Sequence, residues 1–205
     1  MTIMEKPAAA EAALDSLRPL IRGVHHLVFN TDDMKMTIDF YCGVLGIRLV
    51  HALKTEGGIT SVSKTRGNPP YDNIRHYFFD MGNDSVLAFF EMPKNDVPKA
   101  DRDAVGGMQH TSFVVTKESQ YQEMMKRLKQ NGVDFYGPIP MGSGPGYSIY
   151  FFDPNGIRLE VSCIEVGTPS VIANVKQTKS QILQELKTLH DDPVWLATVT
   201  AGLPD

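Results

Sequence analysis

The chain has 205 residues, 42% hydrophobic and 21% charged, which excludes wholesale disorder and fits one ordinary domain or two small modules sharing a core. Lys plus Arg is 20 and Asp plus Glu is 24, a net charge of −4 that argues against a nucleic-acid binder. No run of about 18 apolar residues is present to span a membrane.

Residues 8–20 are Ala-rich, with Leu14, Leu17 and Leu20 on one side of an expected N-terminal helical arm. The opening MTIMEKPAAAEAAL lacks the basic-then-apolar pattern of a secretory signal. Val24 to Phe29 reads as a strand. Asp32-Asp33 can then cap a helix carrying Met34, Ile38, Phe40, Tyr41 and Leu45, which Gly46 closes. Residues 54–73 hold Gly57-Gly58, Gly67 and Pro69-Pro70 and read as a surface loop, a length often used for functional lids. Tyr77-Phe78-Phe79-Asp80 is a strand entering a turn, and Ser85 to Glu91 is the apolar strand that follows.

The same order then recurs. Gln109 to Val115 is a strand, Tyr121, Met124, Met125 and Leu128 mark a helix, and Asn131-Gly132 closes it. Tyr150-Phe151-Phe152-Asp153 repeats the earlier aromatic motif, Pro154-Asn155-Gly156 makes the turn, and Ile157 to Val161 is the closing strand. Each half therefore reads strand, helix, strand, strand, strand. Each helix covers one face of its sheet, leaving the other face to be buried against the other half. Residues 179–190 form an amphipathic C-terminal helix with Ile182, Leu183, Leu186 and Leu189. The flanks are read as packing or dimer arms. The only cysteines, Cys42 and Cys163, lack CxxC spacing, which points to a reduced, cytoplasmic protein.

The repeat places a His in the first strand of each half, His26 and His110, and a Glu in the last strand of each half, Glu91 and Glu160. Alternation turns His26, His110 and Glu160 away from the helices. The strand of Glu91 is apolar on both faces and leaves its direction open. Two imidazoles and two carboxylates on a sheet face would make a mixed nitrogen and oxygen site for Fe²⁺, Zn²⁺, Ni²⁺, Co²⁺ or Mn²⁺. His51 and His76, on the next two strands, are candidate general bases. The glycine-rich stretch 142–146 lacks a phosphate-loop Lys and reads as a cleft rim.

His25-His26-Leu27-Val28-Phe29-Asn30-Thr31-Asp32-Asp33-Met34, Ile38-Asp39-Phe40-Tyr41, Leu45-Gly46 and Phe152 to Glu160 together resemble the vicinal oxygen chelate superfamily. That superfamily spans glyoxalase I, bleomycin and fosfomycin resistance proteins and extradiol dioxygenases, and the likeness covers residues 23–164. It implies an α+β fold of paired βαβββ modules forming an open, cleft-lining incomplete β-barrel. The boundaries expected are an arm at 1–22, modules at 23–95 and 105–164, and a C-terminal helical extension at 165–205. It selects His26 over His25 as ligand, seven positions before the Asp of the Asp-Met pair, with His110 as counterpart, Glu160 as closing ligand and Glu91 as a fourth.

The chemistry implied is capture of a small-molecule substrate through two adjacent oxygens on a divalent metal. The preferred reading is proton transfer of the glyoxalase I type, with Glu160 and Glu91 as acid-base groups. The alternative is Fe²⁺-dependent extradiol ring cleavage, for which Tyr150 matches the signature and makes that residue a catalytic candidate. Met141, Gly142 and Ser143 stand where that signature has a His. Asn30 stands where glyoxalase I has a glutathione-engaging Arg, whereas Asn95 matches an Asn of that pattern. A second alternative is a non-catalytic, ligand-sequestering resistance protein. A homodimer is expected, with no nucleic-acid or membrane partner.

Overall fold

The structure is a computed structural model that describes residues 24–54, 75–91, 109–141, 145–164, 167–201 and 203. The expected N-terminal arm, the 54–73 loop beyond Lys54, Gly142 to Gly144 and Asn95 lie outside the described residues. The chain divides into two compact units: residues 1–34 with 47–94, and residues 35–46 with 95–205.

The first unit holds a four-stranded sheet. Its strands are β1 (His26–Thr31), β2 (Arg48–Lys54), β3 (Arg75–Gly82) and β4 (Ser85–Glu91), in the order β1-β4-β3-β2. β1 runs parallel to β4, and the other pairs are antiparallel. Asn83 and Asp84, with φ of 50° and 57°, form the left-handed two-residue turn that twist-matched hairpins require. Leu87 and Phe89 from β4 and Phe79 from β3 share one face and are fully buried.

The second unit repeats the topology with β5 (Thr111–Val115), β6 (Phe135–Pro140), β7 (Gly146–Phe152) and β8 (Arg158–Ile164), in the order β5-β8-β7-β6. Helix α2 (Glu118–Gln130) packs on β5 and β8 and buries Tyr121, Met125 and Leu128, the apolar stripe expected from spacing. The element order is the paired βαβββ arrangement read from the sequence.

Helix α1 (Met34–Ile38) runs into a π-helical turn, Asp39–Val44, where Phe40, Tyr41 and Val44 are buried. Apart from Met34, this segment groups with the second unit, although it follows β1 in the chain. Tyr41 donates a hydrogen bond to buried Asp153 at 3.1 Å. Asp153 also accepts the amides of Asn155 and Ile157 at 2.8 and 2.7 Å, closing the turn between β7 and β8.

Three short helices follow: α3 (Val171–Val175), α4 (Lys179–Leu189) and α5 (Pro193–Val199). α4 starts with a capping box between Thr178 and Gln181, and Asp192 caps α5 through the Trp195 amide at 2.7 Å. Among the described residues, no helix is long and apolar enough to cross a membrane. Cys42 and Cys163 are both free thiols.

Removing the Tyr41 hydroxyl leaves the Asp153 carboxylate short of one buried donor without opening a large cavity. Tyr41→Phe is expected to lower unfolding stability by about 1–2 kcal/mol, measured as a reduced urea midpoint at unchanged slope.

Candidate functional site

Strand pairing decides which side chains share a face, because registered partners point the same way and neighbours along a strand alternate. In the second sheet Ser112 is registered with Glu160, and Glu160 with Tyr150. Ser148 and Ser162 form the next pair on that face. The opposite face carries Phe113, Val161 and Ile149 and is the side on which Tyr147 meets α2 through Tyr121.

Glu160 is buried at 6% exposure, and the face is built to keep it charged. Its Oε1 accepts hydrogen bonds from the Tyr150 hydroxyl at 3.0 Å and the Ser162 hydroxyl at 2.9 Å. Ser162 is held in turn by Ser112 at 2.8 Å and Ser148 at 3.1 Å. The other carboxylate oxygen, Oε2, lies 2.7 Å from His110 Nε2. Burial pushes the Glu160 carboxyl up, but the neighbouring hydroxyls of Ser148, Ser162 and Tyr150 and the His110 imidazole outweigh it, and the group sits below its ordinary value. Burial, followed by the hydrogen bond to Glu160 and its charge, pushes the Tyr150 hydroxyl up, so Tyr150 keeps its proton and donates it.

A cation bound by both an imidazole and a carboxylate needs donor atoms about 3 Å apart at ordinary bond lengths. His110 Nε2 and Glu160 Oε2 nearly meet that spacing, with the second carboxylate oxygen already occupied by Tyr150 and Ser162. Such outer partners orient a ligand before any cation binds. The donor chemistry of this pair therefore fits a divalent metal. Among the described residues, no group of three or more His, Cys, Asp or Glu side chains is arranged to hold one.

The first sheet is arranged differently. His26 is registered with Val86, Val28 with Ala88, and Thr31 with Glu91. His26 and Glu91 therefore lie on opposite faces, five residues apart along the strands, or roughly 16 Å. Glu91 accepts the Met34 amide at 2.9 Å at the start of α1 and forms an ion pair with Arg75. Matching the two histidines superposes Val28–Ala88 on Ser112–Glu160, so the counterpart of Glu160 in the first half is Ala88. The aromatic motifs are also one residue out of step: Phe79 pairs with Leu87 as Phe151 pairs with Leu159. Phe78, not Tyr77, thus corresponds to Tyr150. A run of adjacent aromatics hides its phase, and a one-residue slip exchanges the faces.

Of the residues singled out from the sequence, the structure brings together His110, Glu160 and Tyr150. His26, His51 and His76 share one face of the other sheet around Phe78, with ring centroids 5.8, 5.5 and 4.2 Å from it. Ser148 was not singled out from the sequence; its signal is the Ser-x-Tyr alternation of β7 facing the Glu-x-Ser alternation of β8.

Residues 23–161 match the family model for the Glyoxalase/Bleomycin resistance protein/Dioxygenase superfamily, and the chain belongs to that superfamily. Among curated proteins it is 25% identical over 142 residues to the glutathione transferase FosA of Serratia marcescens, covering 69% of this chain and 81% of that one. It is 23% identical over 141 residues to the metallothiol transferase FosB of Staphylococcus epidermidis, with the same coverages. A solved glyoxalase family protein from Enterococcus faecalis shares the fold, with a TM-score of 0.51, 20% identity, and coverage of 70% of this chain and 99% of that one.

The hydrogen bonds to Glu160 give a pH signature in metal-free protein. A depressed carboxyl contributes stability above the unfolded carboxylate range, about pH 4.3, and loses it as pH falls through the folded value. Urea unfolding should show wild type more stable than Glu160→Gln at pH 7, with the gap shrinking toward pH 3.

Proposed function

We propose that the chain is a divalent-metal-dependent enzyme whose metal is held by His26, His110 and Glu160, with open positions for a small substrate bound through two adjacent oxygens. The observation that carries this reading is Glu160 itself: one carboxylate oxygen is occupied by Tyr150 and Ser162 and the other faces His110 Nε2. A buried carboxylate with that much support and a single imidazole opposite it is prepared for a positive charge. The metal, when bound, supplies the charge that polarises the captured oxygens. The chain's own residues fix the geometry: Tyr150 holds its proton at the hydroxyl and orients Glu160, and Ser112 and Ser148 lock Ser162 beside it.

The reaction class favoured is addition of a thiol to the polarised substrate. Both curated relatives are named as transferases, one acting with glutathione and one as a metallothiol enzyme. Proton transfer of the glyoxalase I type calls for a second carboxylate beside the first imidazole. Glu91 faces away from His26 and is engaged by Arg75 and the Met34 amide, which favours a three-donor site over a four-donor one. The assembly proposed is a cytoplasmic homodimer, supported by the exposed Ile172, Leu189 and Val194 on the C-terminal helices.

Metal content of untagged protein tests the reading directly. About one divalent ion per chain is expected, falling at least tenfold in His26→Ala, His110→Ala and Glu160→Gln and unchanged in Glu91→Gln. A wild-type protein without stoichiometric metal overturns the site, and loss of metal in Glu91→Gln restores the four-donor arrangement.

A further inference from the structure

The sheet faces that carry His26 and His110, matched position by position, are chemically different. Where the second half has Ser148, Tyr150, Glu160 and Ser162, the first half has His76, Phe78, Ala88 and Phe90. A hydrogen-bonded carboxylate network is thus replaced by aromatic rings and an imidazole. His76 stacks on Phe90 at 3.8 Å between centroids with an interplanar angle of 18°, and lies 4.2 Å from Phe78. His26, the proposed ligand, is 5.8 Å from Phe78 on the same face. His51 stands on the far side of Phe78, edge to face at 5.5 Å. Ala88, between Val28 and Phe78, adds no bulk over the rings.

One feature of this wall is unfinished. His76 Nε2 is buried and, among the described residues, has no hydrogen-bond partner. Two aromatic rings fix the imidazole plane, so the nitrogen cannot readily turn toward water, and a buried polar atom left unpaired costs about 1–3 kcal/mol. Such an atom, beside rings and on the face of a proposed metal ligand, marks a position where a polar group of a bound molecule completes the pairing.

We infer that the His76–Phe78–Phe90 wall is a specificity surface that takes a flat, unsaturated ring of the substrate, with His76 Nε2 hydrogen-bonded to a polar substituent on that ring. The inference rests on the metal site proposed above, because that site anchors the adjacent oxygens while the wall receives the remainder of the molecule. Flat rings pack on aromatic side chains with more specificity than their area alone gives.

A matched pair of chelators separates the two parts. Acetohydroxamate and benzohydroxamate present the same adjacent oxygens to a metal and differ in a methyl group against a phenyl ring. With zinc-loaded protein of measured metal content, calorimetric titration is expected to show benzohydroxamate binding at least tenfold tighter. Phe78→Ala should erase that advantage and leave acetohydroxamate affinity and zinc content unchanged. At least one of the three monohydroxylated benzohydroxamates should bind tighter than the parent, and His76→Phe, which keeps a ring in the stack, should remove that gain alone. Equal affinity of the two parent hydroxamates for wild type overturns the wall, as does an equal loss of both in Phe78→Ala. Equal loss of the parent and hydroxylated probes in His76→Phe overturns the role of Nε2. Protein that takes up no zinc and binds neither parent overturns the metal site and the wall together, a result distinct from zinc-loaded protein that ignores the ring.

Discussion

The two-residue alternation of paired strands governs everything at the candidate site. Each half closes its sheet with a parallel pair, β1 on β4 and β5 on β8, and those pairings settle which side chains can cooperate. In the second half the pairing gathers Ser112, Glu160 and Tyr150 on one row and leaves the apolar row to α2. In the first half the same rule separates His26 from Glu91, although both lie on neighbouring strands. Proximity in a sheet is not cooperation: an odd displacement puts two residues on different sides of a layer that no side chain crosses.

The architecture was legible because it depends on coarse features. Helical spacing in Tyr121, Met125 and Leu128 and the Pro154-Asn155-Gly156 turn survive any small error in phase. The direction of Glu160 was legible too, since Leu159 and Val161 flank it as unambiguous core residues. Glu91 was different. It ends the strand Ser-Val-Leu-Ala-Phe-Phe-Glu, where both rows are apolar and alternation leaves no trace. The matched aromatic motifs compounded this, because Tyr77-Phe78-Phe79 and Tyr150-Phe151-Phe152 align by letter one residue away from their alignment by register. The serine cradle around Glu160 was half visible: Ser112 and Ser162 alternate with core residues, but their link through Ser148 depends on cross-strand pairing.

The two halves share a topology but not the side chains at matched positions. The second half has the carboxylate, with Tyr150 and Ser162 bonded to it and Ser112 and Ser148 bonded to Ser162, a network in which every member is paired. The first half has Ala88 at the matching position, with aromatic rings around it. Glu91 accepts the first amide of α1 and pairs with Arg75.

The bond between Tyr41 and Asp153 joins residues 112 positions apart. During synthesis the segment carrying Tyr41 leaves the ribosome long before the turn it must fasten. A fragment starting at residue 95 would hold every strand of the second sheet but lack Thr37 and Tyr41, the side chains that reach Asn155 and Asp153. The two repeats are consequently separable as patterns in the sequence but not as pieces of polypeptide, and dissection of this chain at its apparent midpoint would cut through a shared structural unit.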